Sequence, residues 1–290
     1  MTQYRITTDS TADMTVQHMA DLNIAFASLH VHIDGEEFLD DMRPETTERI
    51  FSAMHDGKVP STSQVTVEDF ITMWEPTLEA GEDVLFIGLS GVLSGTLNSA
   101  QVAREQLADK YPDRSIRIVD SVSGSASEGV LLEHAAELKS GGLTLDACYK
   151  AIEDLKQQVN MWFTVGDLAY LRRGGRVSGA AAAIATLLHI KPVMEANPEG
   201  RLLVREKVKG RRAAIKRLYE QLCERINIMA SKLVHITHAE CLEDAKELAR
   251  SIQARFPELT VRIYPVGAVI GAHGGPGTLT LAYVGKNREA

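Results

Sequence analysis

Three short segments carry side chains that could hold an anion. The first, Gly88-Leu89-Ser90-Gly91-Val92-Leu93-Ser94-Gly95-Thr96-Leu97-Asn98-Ser99, follows an apolar run and opens a helical pattern. A helix start presents free backbone N–H groups and favours a carboxylate or phosphate, so Ser94 and Gly95 could frame such a group. The same hydroxyls could instead cap the helix, with Ser94 or Thr96 satisfying its donors. No Lys-Ser/Thr pair closes the segment as in a P-loop, and no G-x-S-x-G spacing makes a nucleophile elbow. The second segment, Pro60-Ser61-Thr62-Ser63-Gln64, offers three consecutive hydroxyls that could bind an anion or cap a helix from Val65. The third is Gly271-Ala272-His273-Gly274-Gly275-Pro276-Gly277. Glycines on both sides let a ligand come close to His273, whose imidazole can donate to a carboxylate whether neutral or charged. A mobile surface loop is the other reading of that segment.

Other titratable groups form weaker patterns. His235 and His238 fall three apart in a strand and point to opposite faces, while His30 and His32 share a face without a zinc-type ligand set. Asp9 and Asp120 each end a strand before a serine, where they could orient cleft loops or make local turn bonds. Asp13, Asp34, Asp40 and Asp41 read as caps and turns. A hydrolase or acyltransferase could be assembled from Ser94 as nucleophile and His273 as base, with Asp9 or Asp120 orienting the imidazole, but no motif fixes that third group. Residues 201–217 hold eight basic side chains and one acid, Glu206, a local charge of +7 that leaves −15 on the rest of a chain of net charge −8. With the turn containing Arg172, Arg173 and Arg176, this is either a solvated face or a docking patch for an acidic partner.

Those segments need a frame to bring them together. The chain has 290 residues, 44% hydrophobic and 24% charged, enough for two packed domains. Its acidic balance argues against a general nucleic-acid coat. No apolar run approaches the ~18 residues of a membrane span, and the start lacks a signal-peptide pattern. Cys148, Cys223 and Cys241 lie far apart with no CxxC spacing, which speaks against a disulfide framework or zinc ribbon. A cytoplasmic protein is expected.

In the first half, strands at Tyr4–Thr8, Ile24–Ile33, Val84–Leu89 and Ile116–Val119 alternate with helices near 45–56, 67–80, 96–110, 127–139 and 144–159. That pattern predicts an α/β domain over 1–160 with a parallel sheet covered on both faces, its strand ends lining a cleft. The second half predicts an α+β domain over 161–290, its helices on one side of a mixed sheet. Strands are expected at Met161–Val165, 190–195, 202–208, 233–237, 260–266 and Thr280–Val284. Helices are expected at 180–189, from 211 and at 242–255, and Gly267–Gly277 reads as a loop. The small-residue run Gly179–Leu188 could pack closely or form one wall of an apolar tunnel.

Taken in order, several segments resemble the DegV family of bacterial fatty-acid-binding proteins. They are Thr8-Asp9-Ser10-Thr11-Ala12-Asp13, Thr62-Ser63-Gln64, Leu93-Ser94-Gly95-Thr96, Asp120-Ser121, Tyr170-Leu171-Arg172-Arg173-Gly174-Gly175-Arg176, Leu188-His189-Ile190-Lys191-Pro192 and Gly271 to Gly277. The resemblance implies a parallel-sheet α/β domain and an α+β domain enclosing one long-chain fatty acid such as palmitate. It implies a carboxylate held at Thr62 and Ser94, with His273 close by and Ser63, Gly95 and Gly274 around it, and an acyl tail running into the C-terminal domain. It further implies a lipid carrier without catalytic residues, metal or cofactor, which inserts in no membrane and binds no nucleic acid. Its fatty acid would be phosphorylated by a separate ATP-dependent kinase, with Arg173, Lys209 and Arg176 in docking. Two positions depart from the family pattern: Ser90-Gly91 stands where Ser-Ser is common, and Gly271-Ala272-His273 where Gly-Thr-His is common.

Overall fold

The computed structural model of the protein describes residues 3–177 and 189–289. Its first half runs β1 (Tyr4–Asp9), a 3-10 turn (Ser10–Ala12), α1 (Val16–Asp21), β2 (Ile24–Ala27), β3 (His30–Ile33), β4 (Glu36–Leu39), α2 (Pro44–His55), β5 (Ser61–Ser63) and α3 (Val67–Glu79). There follow β6 (Asp83–Gly88), α4 (Thr96–Lys110), β7 (Ile116–Asp120), α5 (Ala126–Ser140) and α6 (Leu145–Leu155). Strands β2-β1-β6-β7 form one sheet with every pair parallel. All six residues of β6 are buried, as a parallel strand covered on both faces requires. Side chains alternate between the two layers. Val84 and Phe86 meet Phe70, Trp74 and Leu107 from α3 and α4, while Leu85 and Ile87 meet Leu131, Leu132 and Ile152 from α5 and α6.

The apolar run Ile24–Ile33, expected as one strand, is two strands in different sheets. β2 pairs with β1, whereas β3 pairs antiparallel with both β4 and β5 in a three-stranded sheet ordered β4-β3-β5. The break lies at Leu29, whose N–H donates to Ser10 Oγ and whose carbonyl accepts from Asp40 N–H, so the chain steps off the parallel ladder without losing its hydrogen bonds. The short elements α1, β4 and β5 were not expected.

The second half runs β8 (Val159–Thr164), α7 (Ala169–Arg173), β9 (Ile190–Ala196), β10 (Leu202–Lys209), α8 (Arg211–Arg225), β11 (Leu233–His238), α9 (Leu242–Arg255), β12 (Thr260–Pro265), α10 (Ala268–Gly274) and β13 (Leu279–Val284). The sheet order is β10-β9-β8-β13-β11-β12, antiparallel except for the pair β11 and β12. Helices α8 and α9 cover one face, packing Leu218, Leu222, Leu248 and Ile252 against Trp162, Val234, Leu281 and Tyr283. On the other face α5 packs against β8, β11 and β13, and beside it Met161, Phe163 and Met194 form a smaller apolar cluster. Period two along β8 thus sends Trp162 to the helices, and Met161 and Phe163 to the space between the two sheets.

The segment Gly267–Gly277, expected as a loop, contains α10. The small-residue helix expected over 180–189 falls, but for His189, outside the described residues.

Candidate functional site

Thr62 lies on β5, opposite Val31 of β3, and its neighbours Ser61 and Ser63 turn outward, Ser63 Oγ meeting His32 Nε2 at 3.0 Å. The three hydroxyls do not cap a helix. Thr66 does that for α3, in a capping box with Asp69. The start of α4 stands beside β5. Its N-cap is Gly95, with no side-chain cap, and Ser94 Oγ accepts the Thr96 N–H at 3.2 Å and lies 3.0 Å from Thr96 Oγ1. A Cβ at Gly95 would come within 1.9 Å of Gln64 Oε1, so only glycine lets Gln64 cross the helix start and donate to Ser99 Oγ at 2.8 Å. That crossing fastens the Thr62 strand to the Ser94 turn.

His273 sits in the last turn of α10, and its Nε2 lies 2.8 Å from Thr62 Oγ1. Its ring presses on Gly174, where a Cβ would stand 2.2 Å from Nδ1. Burial, then the nearby Arg176 guanidinium, push its pKa down to about 4, so at neutral pH the imidazole is uncharged and keeps one N–H. Arg176 is half-buried. It donates to Leu93 O at 3.1 Å and to Gly174 O, and burial lowers its own pKa.

These groups line one cavity of about 350 Å³, within the range of small-molecule sites. Its polar lining includes Thr62, Ser63, Gln64, Ser94, Ser125, Arg176, His273, Thr278 and Thr280, with Gly95 and Gly274; its apolar lining includes Leu29, Leu89, Leu93, Met161, Phe163, Leu171, Leu202, Val269 and Ile270. The wall therefore draws on the three-stranded and six-stranded sheets and on loops beyond the carboxyl ends of β6 and β7. All six residues expected around a carboxylate meet here. Chemically, two hydroxyls, a neutral imidazole, a helix start and one guanidinium suit a monoanion, and the apolar part suits a hydrocarbon.

Several expectations change. Arg176, assigned to docking, lines the cavity because the turn after α7 folds inward over Leu93. Gly91, which stands where the family commonly has serine, donates its N–H to Asp120 Oδ2 at 3.2 Å and is not in the cavity wall. The +7 of residues 201–217 does not persist in space. Arg205 pairs with Glu195, Arg211 with Asp244, Lys216 with Glu220, and Arg217 with Glu206, Glu220 and Glu224. Arg201, Lys207, Lys209 and Arg212 remain exposed without an ion pair among the described residues. Arg173 is exposed, its guanidinium 4.8 Å from the Tyr170 ring centroid. Asp9 and Asp120 both tie loops: Asp9 accepts from Thr11 and from Leu89 N–H, and Asp120 from Val122 N–H and Gly91 N–H. Neither bonds His273.

The sequence reading missed Gln64 as part of the wall, although the glycine after Ser94 was a signal that something crosses there. Asp13 and Asp40, read as caps and turns, are buried and bonded to the start of α10, far from them in sequence.

Comparison with known proteins agrees with this geometry. The DegV family model matches residues 3–286. A DegV domain-containing protein of Clostridium perfringens is 38% identical over 290 residues, covering 100% of both chains. The solved structure of a DegV family protein from Thermus thermophilus, described with fatty acid binding, is 30% identical with a TM-score of 0.86, covering 97% of this chain and 99% of that one. Bacillus subtilis DegV, described as a fatty acid binding protein, is 28% identical with a TM-score of 0.85, covering 99% of this chain and 100% of that one. A family match over nearly the whole length, and a relative similar from end to end, make this chain a member of the DegV family.

Proposed function

We propose that this protein binds one long-chain fatty acid, such as palmitate, and presents it to a partner fatty acid kinase. The carboxylate lies against Thr62, Ser94, His273 and Arg176, with Ser63, Gly95 and Gly274 shaping the polar part, and the tail occupies the apolar part. The observation that carries the reading is one cavity whose wall combines hydroxyls, an imidazole and a guanidinium with hydrocarbon side chains. The fatty acids named for the Thermus and Bacillus relatives support the same ligand class. Burial of about 14 methylenes at ~0.8 kcal/mol each gives a gross term of roughly 11 kcal/mol. Each hydrogen bond to the charged head group adds about 1.5–3 kcal/mol. On this account the tail sets affinity and the polar part sets orientation.

In this reading the α/β unit over 1–160 supplies carboxylate-binding loops with Thr62 and Ser94, and the α+β unit over 161–290 forms the acyl-chain tunnel and adds Arg176 and His273 at the head group. Such a carrier works in the cytoplasm without cofactor or metal, and the chemistry belongs to the kinase, which docks at Arg173 and Lys209. The hydrolase alternative finds little support. His273 Nε2 faces Thr62, Ser94 Oγ lies against Thr96, and an imidazole that protonates near pH 4 is a weak base.

The test is denaturing mass spectrometry of lipid extracted from the purified protein. Close to one fatty acid per chain supports the proposal. A protein that carries no lipid and takes up no palmitate when stripped and reloaded refutes it.

A further inference from the structure

His273 is carried by a helix that is weak in isolation. α10 has seven residues, with Gly271 and Gly274 inside it, Gly267 before it and Gly275 after it. Glycine is among the poorest helix formers, and a helix this short does not persist alone in water. What surrounds it must therefore fix its place, and Ala268, Val269 and Ala272 are buried in the apolar cluster that includes Phe51 of α2. At the first turn two carboxylates from the far end of the chain hold it. Gly267 N–H donates to Asp13 Oδ1 at 2.6 Å, and Val269 N–H donates to Asp40 Oδ2 at 3.0 Å. A Cβ at Gly267 would stand 3.2 Å from each of those oxygens, so the two carboxylates converge on one point.

Each carboxylate is itself held. Asp13 follows the 3-10 turn after β1, and its Oδ2 accepts from Ser125 Oγ; Asp40 follows β4, and its Oδ1 accepts from Met42 N–H at 3.2 Å. Both are fully buried. From Gly267 to His273 is six residues, about 9 Å along the axis, so a tilt of the first turn moves the imidazole. That imidazole must stay within 2.8 Å of Thr62 Oγ1, and a displacement of about 1 Å breaks such a bond.

We infer that Asp13 and Asp40 are positioning residues for the head-group site: they clamp the start of α10 and so hold His273 against Thr62. The functional meaning of this clamp rests on the fatty acid reading, but its geometry needs no ligand. A simple cap would cost stability on removal and leave His273 where it is. A clamp changes the surroundings of His273 in a protein that is still folded.

The experiment follows the histidine Cε1–H signals of the full, lipid-stripped chain by NMR through an acid titration, in wild type, Asp40→Asn and Asp40→Ala. Palmitate affinity is measured on the same samples. In wild type His273 titrates near pH 4. In Asp40→Ala its midpoint rises by about one pH unit or more, as its burial loosens. In Asp40→Asn, which keeps one acceptor oxygen, the rise is smaller. The signal of His235, buried in a different cluster, stays in place in both variants and reports the intact fold. Palmitate binding weakens about tenfold in Asp40→Ala, a shift of the kind that losing one aligned hydrogen bond produces. A folded Asp40→Ala protein whose His273 titration and palmitate affinity match wild type overturns the clamp. If Asp40→Ala does not fold, Asp40→Asn carries the same test, and an unmoved His273 midpoint there overturns it. Wild-type protein that binds no palmitate would sink the fatty acid reading, and the His273 titration would then decide for or against the clamp by itself.

Discussion

Two polar clusters lie close together in this molecule and differ in how their hydrogen bonds are used. The polar part of the cavity holds Thr62, Ser94, His273 and Arg176, each only partly buried. The layer at the end of β1 holds Asp9, Asp13, Asp40 and Glu128, all buried. In that layer Asp9 accepts from Leu89 N–H, Thr11 Oγ1 lies 2.6 Å from Asp9 Oδ1 and 3.1 Å from Glu128 Oε2, and Thr8 Oγ1 donates to Glu128 at 2.7 Å. Burial raises the pKa of every one of these four acids. The acid layer is closed off inside the protein, whereas Thr62, His273, Ser94 and Arg176 bond one another or nearby groups while lining a cavity. A concentration of titratable groups is therefore no guide to a ligand site, whereas polar groups on a cavity wall are.

Removing a group from each cluster should separate stability from binding. The largest effect is expected for Asp9→Ala, which leaves Leu89 N–H and Thr11 N–H buried without an acceptor. At about 1–3 kcal/mol per stranded group, a loss of about 3 kcal/mol in unfolding free energy should appear in urea denaturation. A change under about 1 kcal/mol would mean that the layer is not the fixed scaffold described here. Next in size is Arg176→Gln, which removes the cation of the cavity. It should weaken palmitate binding by about 1.5–3 kcal/mol and leave the urea midpoint near wild type. The same binding in the variant would return Arg176 to the surface role first expected of it.

A smaller effect concerns pH. The Asp13 and Asp40 pKa values are pushed up to about 8 and about 6, so between pH 4 and those values the fold holds protons that the unfolded chain has lost. Stability from these groups therefore falls as pH rises, by at most about 1.4 kcal/mol per pH unit for each. The buried histidines act in the opposite sense. His134, His235, His238 and His273 all lie below the usual 6.5, so the unfolded chain takes up protons there that the fold does not. Above the ordinary histidine value the Asp13 contribution still declines toward pH 8, and Asp13→Asn should flatten that decline. Denaturation midpoints at pH 6.5, 7.5 and 8.5 give the answer, and an unchanged slope in the variant would contradict it.

The smallest effect lies outside both clusters. Arg173→Ala with Lys209→Ala should leave bound lipid unchanged and slow acyl-phosphate formation by a cognate kinase, most at low salt, since exposed charges act chiefly on association rate. Equal rates at low salt would make these side chains a solvated face.

Much of this was legible from residue patterns. Helices α2 to α6 and α9 and strands β6, β7 and β13 carry local periodicity or a continuous apolar run, and they fall within a few residues of expectation. The failures share a cause. Ile24–Ile33 reads as one strand because no glycine or proline marks Leu29; what turns the chain is a bond to Ser10 and another to Asp40. α10 reads as a loop because of its glycines, and it is held by carboxylates more than 220 residues away in sequence. Thr62, Ser94 and His273, singled out because each stands in a segment of hydroxyls or glycines, line one cavity. Arg176, read as surface because it belongs to a basic turn, lines that cavity too. The +7 run dissolved because its partners, Glu195, Glu220, Glu224 and Asp244, come from outside it. Local pattern reads local structure, and long-range hydrogen bonds and ion pairs decide the rest.

The central claim is that the polar groups lining the cavity hold a fatty acid carboxylate. Calorimetric titration of palmitate into lipid-stripped wild type and into the Thr62→Ala/Ser94→Ala variant tests it directly. The account predicts one site per chain in wild type, and in the folded variant an affinity weaker by about 1–3 kcal/mol for each hydroxyl lost, roughly thirtyfold or more in total. Equal affinity in the two proteins would place the carboxylate elsewhere.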